Sequence, residues 1–424
     1  MTTNYDVIVI GGGASGVMAA GRAAERGKRV LLLEKNAKLG EKLRISGGGR
    51  CNITNAETDV HALLKNYGGA EQFLYSVFAR FGVPETFSFF EALGLPIVVQ
   101  ARKRAFPHTE RAGDVVRALE TYLKAGNVTV QTGTNVSRIV TENMGTQNRI
   151  VSVIAGKEKT KTHYTADSYI IATGGVSHPE TGSTGDGFRW LKALGHSVIA
   201  PTPTIVPLAV REPWAHALSG VSLSFMTITF FTHSKEKRQK RFSKTGKLLF
   251  THFGLSGPLI LNAAGAVGDL LHADAVTAEI DAYPDTDLGA LEKKIIAVFD
   301  ANKNKMLKNV FRDIVPHGMT DILGTLLAFI PPDTKVHSIT KEDRRRIAET
   351  LKALPLTITG LMGYDRAAVA DGGIPLIEID MKTMRSKVLE NLFITGDLLH
   401  INRPSGGFSL QLCWTTGFVA GSSA

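Results

Sequence analysis

Cysteine is nearly absent: Cys51 and Cys413 are the only two in 424 residues, far apart and without partners at metal-ligand spacing, so neither a disulfide framework nor a zinc site is indicated. No apolar stretch approaches the roughly 18 uninterrupted residues of a membrane span. The first apolar run, in MTTNYDVIVI, has no basic segment before it, meets Asp6 at its start and is then broken by glycines, unlike a secretory signal. Together these absences predict a cytoplasmic protein. Internal repeats and low-complexity tracts are missing too. With 43% hydrophobic and 21% charged residues, the chain has an ordinary globular balance and the length for two or three domains.

Acidic residues are the minority, leaving a formal charge of +10. Much of the excess is local, because KEKRQKRFSKTGK at 235–247 holds seven Lys or Arg and one Glu. That stretch joins two strand-like runs, SLSFMTITFF and KLLFTHF, and reads first as a solvated hairpin tip. A nucleic-acid or membrane contact is the alternative, with no interleaved aromatics to favour it.

Glycine, in contrast, is plentiful. YDVIVI from Tyr5 reads as a strand buried on both faces; GGGASG follows, then helix-forming VMAAGRAAERG and the second strand KRVLLLEK. In this βαβ unit Gly11, Gly13 and Gly16 satisfy G-x-G-x-x-G: a tight turn, backbone access for a pyrophosphate, and close packing of helix on strand. Glu34 ends the second strand, where a carboxylate can hold ribose hydroxyls and would repel a 2′-phosphate. A dinucleotide site is the expectation, against a bare tight turn of an α/β fold.

A second glycine run arrives at once, in ISGGGRCNITN at 45–55. FAD extends beyond its pyrophosphate and needs such an added cradle, so Gly47 to Gly49 are expected to bring backbone to the cofactor while Arg50, Cys51 and Asn52 present polar groups to it. A purely structural glycine turn is the other reading. Further along, VTVQTGTNVSRIV, IVSVIAG and KTHYTA read as a β-meander, followed by DSYIIATGG as a separate buried strand. Gly182, Gly185 and Gly187 open the helix GDGFRWLKALG, with no terminal-acid strand after it and hence no separate NAD domain. Near the C-terminus NLFITGDLLH reads as a strand ending at Gly396-Asp397, where Asp397 can bind ribityl hydroxyls. The Gly406-Gly407 turn then opens a last helix whose N-terminus suits the flavin's pyrimidine edge.

These stretches give the expected organisation of an α/β protein: 1–197 first part of the FAD domain, 198–260 β-rich, 261–330 helical insert, 331–356 return through the β-rich part, and 357–424 second part of the FAD domain. The sequence also resembles the YhiN-like and BaiN-like family of NAD(P)/FAD-dependent oxidoreductases, also described as aminoacetone-oxidase-like flavoproteins. VIVIGGGASGVMAA, KLRISGGGRCNITN, AFPHTERAGDVVRAL, IIATGGVSHPETGSTGDGFRWLKALGH, LLFTHFGLSGPLIL and NLFITGD with SGGFSLQ carry that resemblance. It implies a glutathione-reductase-like Rossmann domain built from both chain ends and interrupted by a β-barrel-like subdomain with a helical insert. It further implies FAD contacts at Gly11, Gly13, Ala14, Ser15, Gly16, Glu34, Lys35, Gly48, Gly49, Arg50, Cys51, Asn52, Val136, Ala172, Thr173, Gly174, Asp397, Gly406, Gly407 and Phe408. The chain departs from the family at His400 and Arg403-Pro404, at Gly406 to Ser409, and at Thr383 to Lys387.

The leading expectation is an FAD-dependent oxidoreductase that takes electrons transiently from NAD(P)H and reduces a small organic acceptor, such as an activated C=C bond. An oxidase of a small amine or alcohol and a flavoprotein acting on or binding RNA are the alternatives. His252, Arg50 and His400 are the catalytic candidates, with His178 also weighed and each lone histidine having a structural reading. Cys51 lacks a C-x-x-C partner, which favours a contact role over redox chemistry. No metal ligand set is expected.

Overall fold

The computed structural model describes residues 3–144, 147–157, 160–234 and 237–424. Two compact units emerge: residues 1–202 with 367–424, and residues 203–366. In the first unit β1 (Thr3–Ile10) is apolar on both faces, with Val7, Ile8 and Val9 wholly buried, as a central parallel strand must be. Helix α1 (Ala14–Glu25) leads to β2 (Val30–Leu33), parallel to β1. A three-stranded antiparallel sheet follows, made of β3 (Thr54–Asn55), β4 (Ile97–Gln100) and β5 (Arg104–Pro107) in the order β3-β5-β4. After α2 (Ala112–Ala125), the chain adds β6 (Thr129–Gln131) beside β2, then the meander β7 (Asn135–Met144), β8 (Gln147–Lys157) and β9 (Thr160–Ile171).

One expectation changes here. KTHYTA and DSYII are a single strand, β9, whose first half pairs antiparallel with β8 while its length from Tyr164 runs parallel to β1. No turn residue separates the two halves, so the meander merges into the main sheet. Helix α3 (Asp186–Ala193) and β10 (Ile199–Pro203) close this stretch.

The second unit is a closed barrel of β11 (Leu208–Val210), β12 (Ser222–Ser234), β13 (Lys237–Thr251), β14 (Gly254–Ser256), β15 (Val276–Asp281) and β16 (Leu354–Leu361), in the order β11-β14-β13-β12-β15-β16. Closure leaves no open edge. Val276, Ala278 and Ile280 alternate inward with Ile228, Phe230, Leu248 and Phe250. Strand β15 lies within the 261–330 segment expected to be helical; six alternating residues between Ala-rich helical stretches are too short a period-2 signal to stand out. Helical structure instead occupies the chain between β15 and β16. There α4 (Leu288–Ala301) buries Leu291, Ile295 and Phe299 on one stripe, and α5 (Lys341–Lys352), within the segment 331–356, is capped by Thr340. Barrel strand β16 also runs past residue 357.

Back in the first unit, β17 (Ala370–Gly373) pairs with β10, β18 (Leu392–Ile394) adds to β9, and α6 (Phe408–Ser423) ends the fold. Helix α6 meets α1 backbone to backbone: a Cβ on Gly417 would overlap the Ser15 carbonyl, and one on Gly421 the Ala19 carbonyl. Among the described residues no helix is long and apolar enough to cross a membrane.

Candidate cofactor site

Four strands stop in register. Ile10 pairs with Leu33 and with Ile171, and Ile171 pairs with Ile394, so Gly11, Glu34, Ala172 and Thr395 step off one edge of the sheet together. This carboxyl edge is where open parallel sheets bind ligands. At Gly11 the backbone takes φ +110, and a Cβ would lie 2.5 Å from the Ala172 carbonyl oxygen; a Cβ on Gly16 would overlap the carbonyl of Gly11 itself. At Gly13 the same atom would meet nothing within 4 Å. Two glycines thus serve the protein's own packing and one leaves open surface, where α1 begins with no side-chain cap on its backbone N–H groups. Glu34 is nearly buried, its Oε2 accepting from Gly12 N at 2.6 Å and Oε1 from Asn36 N at 2.7 Å, which fixes the carboxylate and leaves lone pairs for hydroxyl donors.

The second glycine turn differs. Gly47, Gly48 and Gly49 all have positive φ, and so does Cys51 at +61. Gly47 crowds Asn52 N, but at Gly48 and Gly49 a Cβ would meet nothing. Cys51 is wholly buried and burial pushes its thiol up to about 12, so it is a neutral packing group. Asn52 Oδ1 is buried without a hydrogen-bond partner, an acceptor awaiting a donor such as a flavin ring N–H. Open glycines, an uncapped helix start, a fixed carboxylate and an orphaned acceptor on one unit fit FAD.

Other expected contacts are already engaged. Lys35 Nζ bonds Thr184 Oγ1 at 2.7 Å and Asp186 Oδ2 at 2.9 Å. Asp397 pairs with Arg403, a family departure whose buried guanidinium also donates to Ser409 Oγ at 3.0 Å and Ile401 O at 2.7 Å. Lys42 stands 4.0 Å from the other Asp397 oxygen; burial holds its ammonium below the ordinary range, against the pull of Asp397. Val136, at the start of β7, and Ala172 are buried, and Thr173 and Gly174 follow β9. Gly406 and Gly407 both have positive φ, and a Cβ on Gly407 would overlap Thr54, so the start of α6 at Phe408 is seated directly on β3. Gln411 holds that seat: its Oε1 accepts from Thr54 Oγ1 at 2.6 Å and Thr86 Oγ1 at 3.0 Å, while Nε2 donates to Gly82 O and Thr415 Oγ1, each at 3.1 Å.

Of the catalytic candidates, Arg50 lies against the Phe106 ring at 4.4 Å and 3.5 Å from Glu110 Oε2. His400 presents Nδ1 to Asp371 Oδ1 at 3.5 Å, both atoms buried, while its ring remains partly exposed. Nothing in the sequence linked Asp371 to it. His252 is an exposed residue of the barrel unit, edge-on to Phe253; His178 bonds its neighbour Glu180 at 2.7 Å. A further histidine went unread: His196 Nδ1 meets Glu378 Oε2 at 2.6 Å, and its Nε2 accepts from Ser386 Oγ at 2.9 Å. That line resembles a hydrolase triad in order only. The Ser386 oxygen accepts from two backbone N–H groups and is buried, so the trio clasps the fold.

Relatives match this chain along nearly their full length. The 3-dehydro-bile acid delta(4,6)-reductase of Clostridium scindens is 28% identical over 420 residues, 98% of each chain. The ribosomal RNA dihydrouridine synthase of Haemophilus influenzae is 28% identical over 426 residues, 100% of this chain and 99% of that one. Among solved structures, the 3-ketosteroid delta1-dehydrogenase of Sterolibacterium denitrificans covers 99% of both chains with TM-score 0.58 and 14% identity, a likeness of fold. Residues 5–423 match the HI0933-like protein Rossmann domain, and the chain belongs to that family of FAD-binding flavoproteins.

Proposed function

We propose that the protein is an FAD-dependent reductase that uses NAD(P)H to saturate a C=C bond conjugated to a carbonyl. The observation that carries the reading is the common strand edge with its open glycines and orphaned Asn52 acceptor. The relatives narrow the acceptor: a bile acid delta(4,6)-reductase and a dihydrouridine synthase are named for different substrates, yet both names describe saturation of a ring C=C bond in conjugation with a carbonyl. Bound FAD supplies hydride transfer. Gly13 and the start of α1 bind its pyrophosphate, Glu34 its ribose, and the Gly48 to Asn52 turn with the start of α6 its ring system. His400, whose Nδ1 stands 3.5 Å from Asp371 Oδ1 with no hydrogen bond between them and whose ring is partly exposed, is the candidate to deliver the proton that the carbon beside the carbonyl requires. Two free thiols suit a reducing compartment such as the cytoplasm.

RNA as the bearer of that double bond is a second reading, favoured by the barrel hairpin. Lys237, Lys240, Arg241, Lys244 and Lys247 are exposed and have no ion-pair partner among the described residues, whereas Arg238 pairs with Glu279. Lys235 and Glu236 lie outside the described residues.

The test is an anaerobic titration of the yellow protein with NADH and then NADPH, followed by an enone acceptor. Bleaching by a nicotinamide and recovery on adding the enone are expected. Bleaching only by an amine or alcohol, with fast recovery in air, would replace the reductase with an oxidase. His400→Gln is expected to slow turnover about 100-fold while FAD stays bound.

A further inference from the structure

Non-glycine residues at positive φ are costly and gather where a site needs them. The described chain has eight, and four of them, Cys51, Arg102, Lys103 and Glu110, lie on or beside the small sheet β3-β5-β4. Arg102 and Lys103 are consecutive, at φ +61 and +55. Glycine would take those angles freely, and the chain spends two cations there instead. Arg102 is exposed and its guanidinium has no ion-pair partner among the described residues. Around it, Arg50 and Arg104 stand against one ring, 4.4 and 5.8 Å from the Phe106 centroid. Glu110 faces Arg50 and Glu57 faces Lys103, leaving Arg102 and Arg104 uncompensated.

This turn is tied to the cofactor turns. The buried Asn55 amide donates to Gly406 O at 3.2 Å and to Arg102 O at 3.4 Å, Ala56 N donates to Lys103 O at 2.6 Å, and Arg50 directly follows Gly49. Hence one side chain sets both the start of α6 and the position of the arginine turn.

We infer that Arg102, with Arg104 and Arg50 beside it, is an oxyanion anchor for the substrate of the proposed reductase, gripping a carboxylate or phosphate while the double bond lies at the cofactor. The inference rests on the reductase reading for its substrate and on the turn alone for its anion. A guanidinium fork matches either oxyanion, and the Asn55 amide holds the Arg102 backbone beside the Gly406 turn.

Binding to the FAD-loaded enzyme tests it without turnover, by flavin absorbance changes with a 3-oxo-4-ene bile acid and its methyl ester, and by anisotropy with a short uridine-containing RNA hairpin. Arg102→Gly is the informative variant, because glycine relieves the left-handed backbone: it should melt no lower than wild type and yet lose the anchor. If the anion is a carboxylate, the preference for acid over ester shrinks about tenfold. If it is a phosphate, RNA affinity falls about tenfold and its salt slope becomes shallower by about one. Arg102→Lys should restore part of either loss. Acid preference and RNA affinity both within twofold of wild type in Arg102→Gly would overturn the anchor. Arg102-dependent binding without reduction of any bound probe would instead overturn the reductase reading and leave the anchor standing.

Discussion

The two glycine turns of the cofactor unit use the same residue for opposite ends. In the first, missing side chains at Gly11 and Gly16 make room for the protein's own backbone, against Ala172 and Gly11. In the second, Gly48 and Gly49 clear space that no other part of the chain fills, and the backbone stays left-handed on into Cys51. A glycine used for packing and a glycine used for a ligand look alike in sequence. They separate once a Cβ is imagined at each.

Substitutions should separate them in the laboratory as well. Gly16→Ala drives a methyl group into the Gly11 carbonyl and is expected to cost about 3 kcal/mol of stability, with loss of bound flavin as a consequence, seen as a lower melting temperature of the apoprotein. Gln411→Leu should come next, at about 2 kcal/mol, since it removes four buried hydrogen bonds, to Thr54, Thr86, Gly82 and Thr415, beside the second turn. Gly48→Ala pays only for the left-handed angle, about 1 kcal/mol, but is expected to weaken FAD about tenfold in an equilibrium titration. If Gly48→Ala instead lowers the melting temperature as much as Gly16→Ala while FAD affinity is kept, the contrast between the turns is lost.

The smallest effect lies away from both turns. Burial lowers the His196 pKa below its ordinary 6.5, outweighing the hydrogen bond it donates to Glu378; for Glu378 burial acts upward, but bonds from Ser197 and His196 prevail and hold it below 4.5. Both shifts favour the folded state at high pH: the histidine's share is complete above about pH 6.5 and declines below it, and the carboxylate's is complete above about pH 4.5 and declines below that. Melting temperature should therefore fall as pH drops through 6.5, and His196→Asn should flatten that first decline without altering flavin affinity at pH 8.

Local patterns made much of this readable. The run from YDVIVI to Glu34 carries strand, turn, helix and strand within one short window, each reinforced by its neighbour. The Gly406-Gly407 turn was legible for the same reason, and so was a hairpin of β12 and β13, but residues 237–247, read as its tip, are themselves strand β13 paired along β12. Strand β15 was not, since six alternating residues gain their identity only from β12 and β16 on either side. The engagement of Asp397 by Arg403 and of Lys35 by Thr184 and Asp186 depends on side-chain geometry that residue type does not encode. Arg102 is the plainest case. An arginine gives no sign in sequence that its backbone is left-handed, and the pairing of His400 with Asp371 joins residues with no shared motif.

Strand β1 and helix α1 are made long before the groups that complete their edge, β18 and α6: Thr395 Oγ1 reaches Ser15 Oγ across 380 residues, and Gly417 rests on the Ser15 backbone. A nascent chain therefore carries the first glycine turn long before it has a partner for α1. The proposed flavin site is therefore completed only by residues 367–424, and a chain cut short before β18 is expected to purify without bound flavin.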